Sequence, residues 1–365
     1  MKLVVIGGGA SGSQAALEAR KFDKNAEITL IEKQNFPQYS LCGLPYAVSG
    51  DIENFDKLII FPKEFYEKQK IKLLLQKEIK KINPSDKKVI LEDNSEIEYD
   101  SLILSTGAIP CNYKIGYKYP EGLYFIRTLE DSIKLSKNID ASKKAIIYAY
   151  GWGCKAGCKG CISGRISLEM AYALKNRGLD VTIVSNENRP LRQQIDMDMS
   201  ELIVDYLKSK GINLVTDKNV ISISGEDKVK GLIVDNELVD ADIIIMASGT
   251  RTNTYLAKDC GIEIQKGIKT DSRLQTSIDG IYACGDCASV KYFFTGEQFS
   301  SSLGTNAVRS GKIAGINSVG GNLELNPVIN LTIMDFFDLK IGAFGLTEDN
   351  LSTMGIEYVK AKYKG

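Results

Sequence analysis

The chain has 365 residues, with 46 Lys+Arg against 46 Asp+Glu, so its net charge is zero and offers no electrostatic draw toward nucleic acid or an anionic membrane. Its 44% hydrophobic and 25% charged residues are those of an ordinary globular protein, and no apolar run reaches the roughly 18 residues of a membrane span. Histidine is absent, which excludes a Ser-His or Cys-His dyad and any His-ligated metal.

Met1 leads straight into an apolar run at 3–6, with no basic region, apolar stretch and cleavage site before it. That start predicts no secretory signal and a cytoplasmic protein. In a reducing cytosol the eight cysteines are expected to be redox-active, metal-binding or buried rather than paired in structural disulfides. Gly7-Gly8-Gly9-Ala10-Ser11-Gly12 follows the strand and opens a helical pattern at 13–22. This is G-x-G-x-x-G in its required setting, with Glu32 ending the next strand, 28–32. Glycines at these positions let backbone N–H groups and the helix N-terminus approach a pyrophosphate, and the carboxylate takes ribose hydroxyls.

Ser40-Leu41-Cys42-Gly43-Leu44-Pro45-Tyr46 comes next. Pro45 suits the first turn of a helix beginning near Cys42. A thiol there faces the positive helix pole, which favours a nucleophilic thiolate. A free cysteine is more often simply buried. Short alternating stretches at 88–92 and 96–99 predict a small antiparallel addition.

The chain then repeats itself loosely, with an offset of 141 residues. The run at 3–6 has a counterpart at 145–147, and 102–107 has one at 243–249. Each unit opens with an apolar strand, a Gly-rich turn, a helix and a second strand, 28–32 or 181–185. Continuous apolar strands alternating with helices argue for parallel sheets covered on both faces. The predicted fold class is α/β, with two Rossmann-like three-layer domains. The first domain is expected to be discontinuous, 1–111 and 247–325, with the second domain at 112–246. From about 326 the pattern changes to strands at 328–334 and 339–346 and a helix at 348–354, read as the incomplete start of a C-terminal α+β interface segment, 326–365.

Thr106-Gly107-Ala108-Ile109-Pro110 and Gly280-Ile281-Tyr282-Ala283-Cys284-Gly285-Asp286 join the first turn to complete a resemblance. Together they resemble the flavin motifs of the pyridine nucleotide–disulfide oxidoreductases. The cysteine segment is similar to that of their single-cysteine branch, which includes coenzyme A disulfide reductase, NADH oxidase, NADH peroxidase and polysulfide reductases. The next cysteine is Cys111, so the two-cysteine C-x4-C pattern is absent. The resemblance implies an FAD-dependent oxidoreductase. It implies FAD contacts at Gly7, Gly9, Ala10, Ser11, Gly12, Glu32, Lys33, Ile79, Thr106, Gly107, Gly285 and Asp286, the last on the ribityl chain. It implies redox catalysis at Cys42, by attack on a low-molecular-weight disulfide, persulfide or polysulfide. Peroxidase and oxidase members carry a histidine where this chain has Ala10, which favours the disulfide reading over an NAD(P)H oxidase. Arg20 and Lys21 lie where a coenzyme A phosphate could be met, whereas Gln38 and Leu41 do not reproduce the expected polar contacts. Glu169 matches a family glutamate facing the flavin. A homodimer is also implied.

The second nucleotide turn departs from the family. Ser167 stands at the third glycine, Arg165 at the aromatic that gates the flavin, Ser185 at the strand-end acid, and about 13 extra residues interrupt the motif. The insert holds Cys154, Cys158 and Cys161 as C-x3-C-x2-C on a Gly-rich loop. Soft thiolates at that spacing predict a 4Fe–4S cluster, with zinc as the alternative and Cys260, Cys284, Cys287 or a non-protein group as a further ligand. Electrons would then come from a ferredoxin-like partner docked on Lys155 and Lys159, or from NAD(P)H with Arg189 or Arg192 on a 2′-phosphate. A further alternative is a flavin and iron–sulfur electron-transfer or redox-sensing protein.

Overall fold

The structure is a computed structural model that describes residues 1–111, 120–151 and 163–363. The apolar runs form two parallel five-stranded sheets, as their continuous hydrophobicity requires. In the first, the order across the sheet is Ile281–Ala283, Ser101–Leu104, Lys2–Ile6, Glu27–Ile31 and Ile71–Leu74. In the second it is Asn213–Val215, Asp180–Val184, Lys144–Tyr148, Ile243–Met246 and Leu123–Tyr124. Leu3, Val5, Leu30, Leu102 and Ile103 are fully buried, as are Ile147, Val181, Ile183 and Ile245. Each such side chain contributes about 1.5–3 kcal/mol of burial.

Two antiparallel meanders flank the sheets, Ile79–Asn83 with Lys88–Leu91 and Glu96–Glu98, and Val220–Ser224 with Gly231–Val234 and Glu237–Asp240. A two-stranded ribbon, Ala108–Pro110 against Thr250–Thr252, joins the two halves where the chain leaves and re-enters the first.

The helix after the first glycine turn runs Ala10–Phe22, three residues longer at its start than expected. It packs against Gly304–Ser318 with almost no space between the backbones. A Cβ at Gly311 would stand 2.3 Å from the Ser11 carbonyl oxygen, and one at Gly315 2.2 Å from that of Ala15. Both strand-end positions shift by one residue, so that Glu32 and Ser185 lie just beyond Glu27–Ile31 and Asp180–Val184.

The C-terminal segment forms a hairpin, Leu331–Phe336 with Leu339–Phe344, followed by the helix Glu348–Met354. Met334 and Phe336 are buried in the core of the second domain. Among the described residues no helix is long and apolar enough to cross a membrane.

Candidate functional site

The first turn builds a phosphate cradle. Gly7 takes φ +101°, and a Cβ there would stand 2.3 Å from the Ser105 carbonyl oxygen. A Cβ at Gly12 would stand 1.9 Å from the Gly7 carbonyl oxygen, so this turn closes only with glycine at both places. Gly9 differs, because a Cβ there meets nothing within 4 Å. It begins the helix without a capping side chain, leaving first-turn N–H groups at Ala10 and Ser11 open for an anion.

Glu32 is buried beside this turn. Its carboxylate accepts the Gly8 N–H at 2.6 Å and the Gln34 N–H at 2.8 Å. The Gln34 side chain accepts the Tyr39 hydroxyl at 2.7 Å, and that hydroxyl accepts the Leu129 N–H at 3.2 Å. Open room at Gly9, uncapped helix N–H groups and a fixed buried carboxylate together fit the pyrophosphate and ribose of FAD.

The other expected contacts fall unevenly around this cradle. Gly285 (φ +75°) abuts Ser11, whose Oγ a Cβ would meet at 2.3 Å. Thr106 donates its hydroxyl to the Asn253 carbonyl at 2.6 Å, and Gly107 takes φ +68°. Asp286 meets Arg127 at 3.2 Å, and Arg127 also donates to the Ala108 carbonyl at 3.1 Å. Burial pushes the Asp286 carboxyl up and Arg127 holds it down. Lys33 is exposed and 3.7 Å from Glu78, and the Ile79 side chain is spent in the core. Arg127 carried no motif in the sequence; its role shows only through the fold.

Cys42 lies in the single turn Leu41–Gly43 that leads into the short helix Leu44–Ser49, with Pro45 in its first turn. The second domain grips the far end of this helix. Asn176 donates to the Ser49 carbonyl at 3.1 Å and Arg177 to the Val48 carbonyl at 3.2 Å. Cys42 is an exposed residue, although its sulfur is partly desolvated. Desolvation by its neighbours pushes the thiol above the ordinary cysteine range; Glu169 adds to the rise, and Arg165 and Arg127 oppose it. The expected low thiolate pKa is therefore corrected: desolvation outweighs the pole of a helix only six residues long.

Glu169 and Arg165 lie one turn apart on the helix Ser163–Asn176. Burial lifts the Glu169 carboxyl to about 7, against the opposing pull of Arg165. As pH rises through that value Glu169 becomes charged and resists ionisation of Cys42. We expect Glu169→Gln to be alkylated by iodoacetamide severalfold faster than the parent above pH 7, with no difference near pH 5. Equal rates at pH 8.5 would contradict this coupling.

Other expectations require correction. Arg20 donates to the carbonyls of Gln69, Lys24 and Lys70 at 3.0, 2.7 and 2.9 Å, leaving it no fork for a coenzyme A phosphate. Lys21 pairs with Glu18 on the surface. The Gln38 Oε1 is buried without a partner among the described residues.

The 4Fe–4S or zinc centre is also corrected. Cys154, Cys158 and Cys161 lie outside the described residues, and among the described residues no group of three or more Cys, His, Asp or Glu side chains could hold a metal ion. Cys284 and Cys287 are fully buried in the core of the first domain, where burial pushes both thiols up and so keeps them protonated. Cys260 donates to the Ala257 carbonyl at 3.4 Å, on a different element.

Comparison with known proteins shows the family. The family model described as "Pyridine nucleotide-disulphide oxidoreductase" matches residues 1–311. An NADH oxidase of Methanocaldococcus jannaschii is 38% identical over 371 residues, covering 99% of this chain and 80% of that protein. A CoA-dependent NAD(P)H sulfur oxidoreductase of Pyrococcus furiosus is 30% identical over 374 residues, covering 100% of this chain and 81% of that protein. Among solved structures, an NAD-dependent persulfide reductase from A. fulgidus matches with a TM-score of 0.89 at 30% identity, covering 97% of this chain and 66% of that one.

The chain belongs to the pyridine nucleotide–disulphide oxidoreductases, and is an FAD-dependent enzyme of that family. Within the family it falls in the single-cysteine branch, similar to coenzyme A disulfide reductases and NADH oxidases.

Proposed function

We propose that this enzyme reduces a low-molecular-weight disulfide, persulfide or polysulfide through Cys42, with electrons from NAD(P)H. One observation carries the reading. Cys42 is an exposed residue whose thiol feels charges from both domains, Asp286 of the first and Glu169 and Arg165 of the second. The names of the relatives from P. furiosus and A. fulgidus support the substrate class.

The Cys42 thiolate attacks one sulfur of R–S–S–R. The S–S bond breaks, one thiolate leaves and takes a proton, and a Cys42–S–S–R mixed disulfide forms. Two electrons then cleave that bond, restoring the Cys42 thiolate and releasing the second thiol with a proton. Bound FAD supplies the electron relay between nicotinamide and disulfide. The sum is R–S–S–R + NADH + H⁺ giving 2 R–SH + NAD⁺. Glu169, whose carboxyl burial lifts to about 7 and whose charge acts on the Cys42 thiol, would accept or return a proton for the leaving thiolate.

A second reading is an NAD(P)H oxidase, favoured by the name of the M. jannaschii relative. One experiment separates them. NADH oxidation is followed in air and under nitrogen, with and without polysulfide or coenzyme A disulfide. The proposal expects anaerobic turnover that depends on the sulfur substrate. Oxygen consumption at the full rate, with no anaerobic response to either substrate, would favour the oxidase.

A further inference from the structure

Arg189 and Arg192 follow the second strand of the second domain, where a 2′-phosphate on NADPH would be read. Both are already engaged, and by the same carboxylate. Arg189 Nη2 donates to Asp349 Oδ2 at 3.0 Å and Arg192 Nε to the same oxygen at 3.1 Å. The Arg189 side chain is only 8% exposed and its other nitrogen donates to the Ile195 carbonyl, so its reach to solvent is closed.

Arg192 also faces Glu187, a buried carboxylate two residues beyond Ser185, at 3.4 Å. Ser185, standing where the strand-end acid is expected, donates its hydroxyl to the Ala149 carbonyl and accepts the Glu187 N–H. A phosphate arriving here meets two carboxylates that have claimed both cations.

Asp349 is not placed by chance contact. Thr347 and Asn350 exchange side-chain and backbone hydrogen bonds that fix the start of the helix Glu348–Met354. Asp196 accepts the Glu348 N–H at 2.8 Å, and Lys362 reaches Asp198 at 2.9 Å, so the C-terminal segment is tied to the arginine loop on both sides of Asp349. A carboxylate in the first turn of that helix is also favoured by its dipole.

We infer that Asp349 is a specificity-determining residue: by holding Arg189 and Arg192 it withholds them from a 2′-phosphate, so that the enzyme takes NADH in preference to NADPH. The inference rests on the proposed use of a nicotinamide donor. It predicts that Asp349→Asn releases Arg192, whose side chain is half exposed, to pair with phosphate as a charge-assisted donor.

The test measures anaerobic flavin reduction of the FAD-loaded protein by NADH and by NADPH, and binding of 2′,5′-ADP by calorimetry. The expected result is preference for NADH in the parent. In Asp349→Asn, kcat/KM for NADPH and affinity for 2′,5′-ADP each rise by about tenfold, while the values for NADH change less than about twofold. Adding Arg192→Ala to that variant returns both to the parent level. Arg192→Ala in the otherwise unaltered chain, a substitution independent of the C-terminal helix, changes neither coenzyme's kcat/KM by more than about twofold, because that arginine is already held. A parent that prefers NADPH overturns the inference. So does an Asp349→Asn variant of unchanged Tm and unchanged coenzyme ratio, or an NADPH-specific loss in Arg192→Ala alone. Failure of both coenzymes to reduce the flavin overturns the donor reading itself, and the inference with it.

Discussion

Replacing Cys42 by serine is expected to lower disulfide or polysulfide turnover by about a thousandfold or more, because a serine hydroxyl cannot attack sulfur and hold it as a mixed disulfide. The same variant should keep its FAD and its stability. Cys42 is exposed and Leu44, Pro45, Ala47, Val48 and Ser49 carry the burial of the adjoining helix, so no core contact is lost. Flavin content, Tm and anaerobic reduction by NADH check the second half of this prediction, and steady-state reduction of the sulfur substrate checks the first. Retained turnover with sulfur substrates would remove Cys42 from the chemistry.

Two neighbouring glycines should fail in different ways. Gly12→Ala puts a methyl group 1.9 Å from the Gly7 carbonyl oxygen and 2.3 Å from Ser105 Oγ, and the backbone partner cannot move without opening the turn. Overpacking of that kind costs about 3 kcal/mol or more, a Tm loss of roughly 6–12 °C for a domain of this size. Gly9→Ala meets no protein atom within 4 Å, at a φ of −69° that alanine accepts. Its Cβ intrudes only on the space that a pyrophosphate would take. We expect an apoprotein as stable as the parent, with at least about tenfold less bound FAD. Thermal unfolding of apoprotein, paired with flavin absorbance after purification, reads both outcomes. A Gly9→Ala protein with full FAD would show that the cofactor does not rest on this turn.

Much of this was legible in the sequence for a local reason. Apolar runs at 3–6, 102–104, 145–147 and 243–246 leave parallel, doubly covered strands as the arrangement that buries them on both faces. Glycines at 7, 9 and 12 mean little apart from that context, and a strand before and a helix after supply it. What stayed hidden depends on partners far along the chain. Asp349 meets Arg189 across 160 positions and Arg127 meets Asp286 across 159, and no spacing rule spans such gaps. Gly311 and Gly315 look like helix-weakening residues until the neighbouring helix is seen against them. Two expectations fail for one cause. Residue type and local position suggest a phosphate-binding Arg20 and a low-pKa Cys42, whereas carbonyls 49 and 50 positions away hold Arg20, and desolvation with the Glu169 charge raises the Cys42 thiol.

Under the proposed function, electrons leave this protein through Cys42 to sulfur. The most direct measurement reduces the FAD-loaded enzyme with one equivalent of NADH under strict anaerobiosis, then mixes it rapidly with polysulfide or coenzyme A disulfide while following flavin absorbance. The oxidised flavin spectrum is expected to return in the parent, and Cys42→Ser to stay reduced. Return of the spectrum at the same rate in both proteins would contradict it.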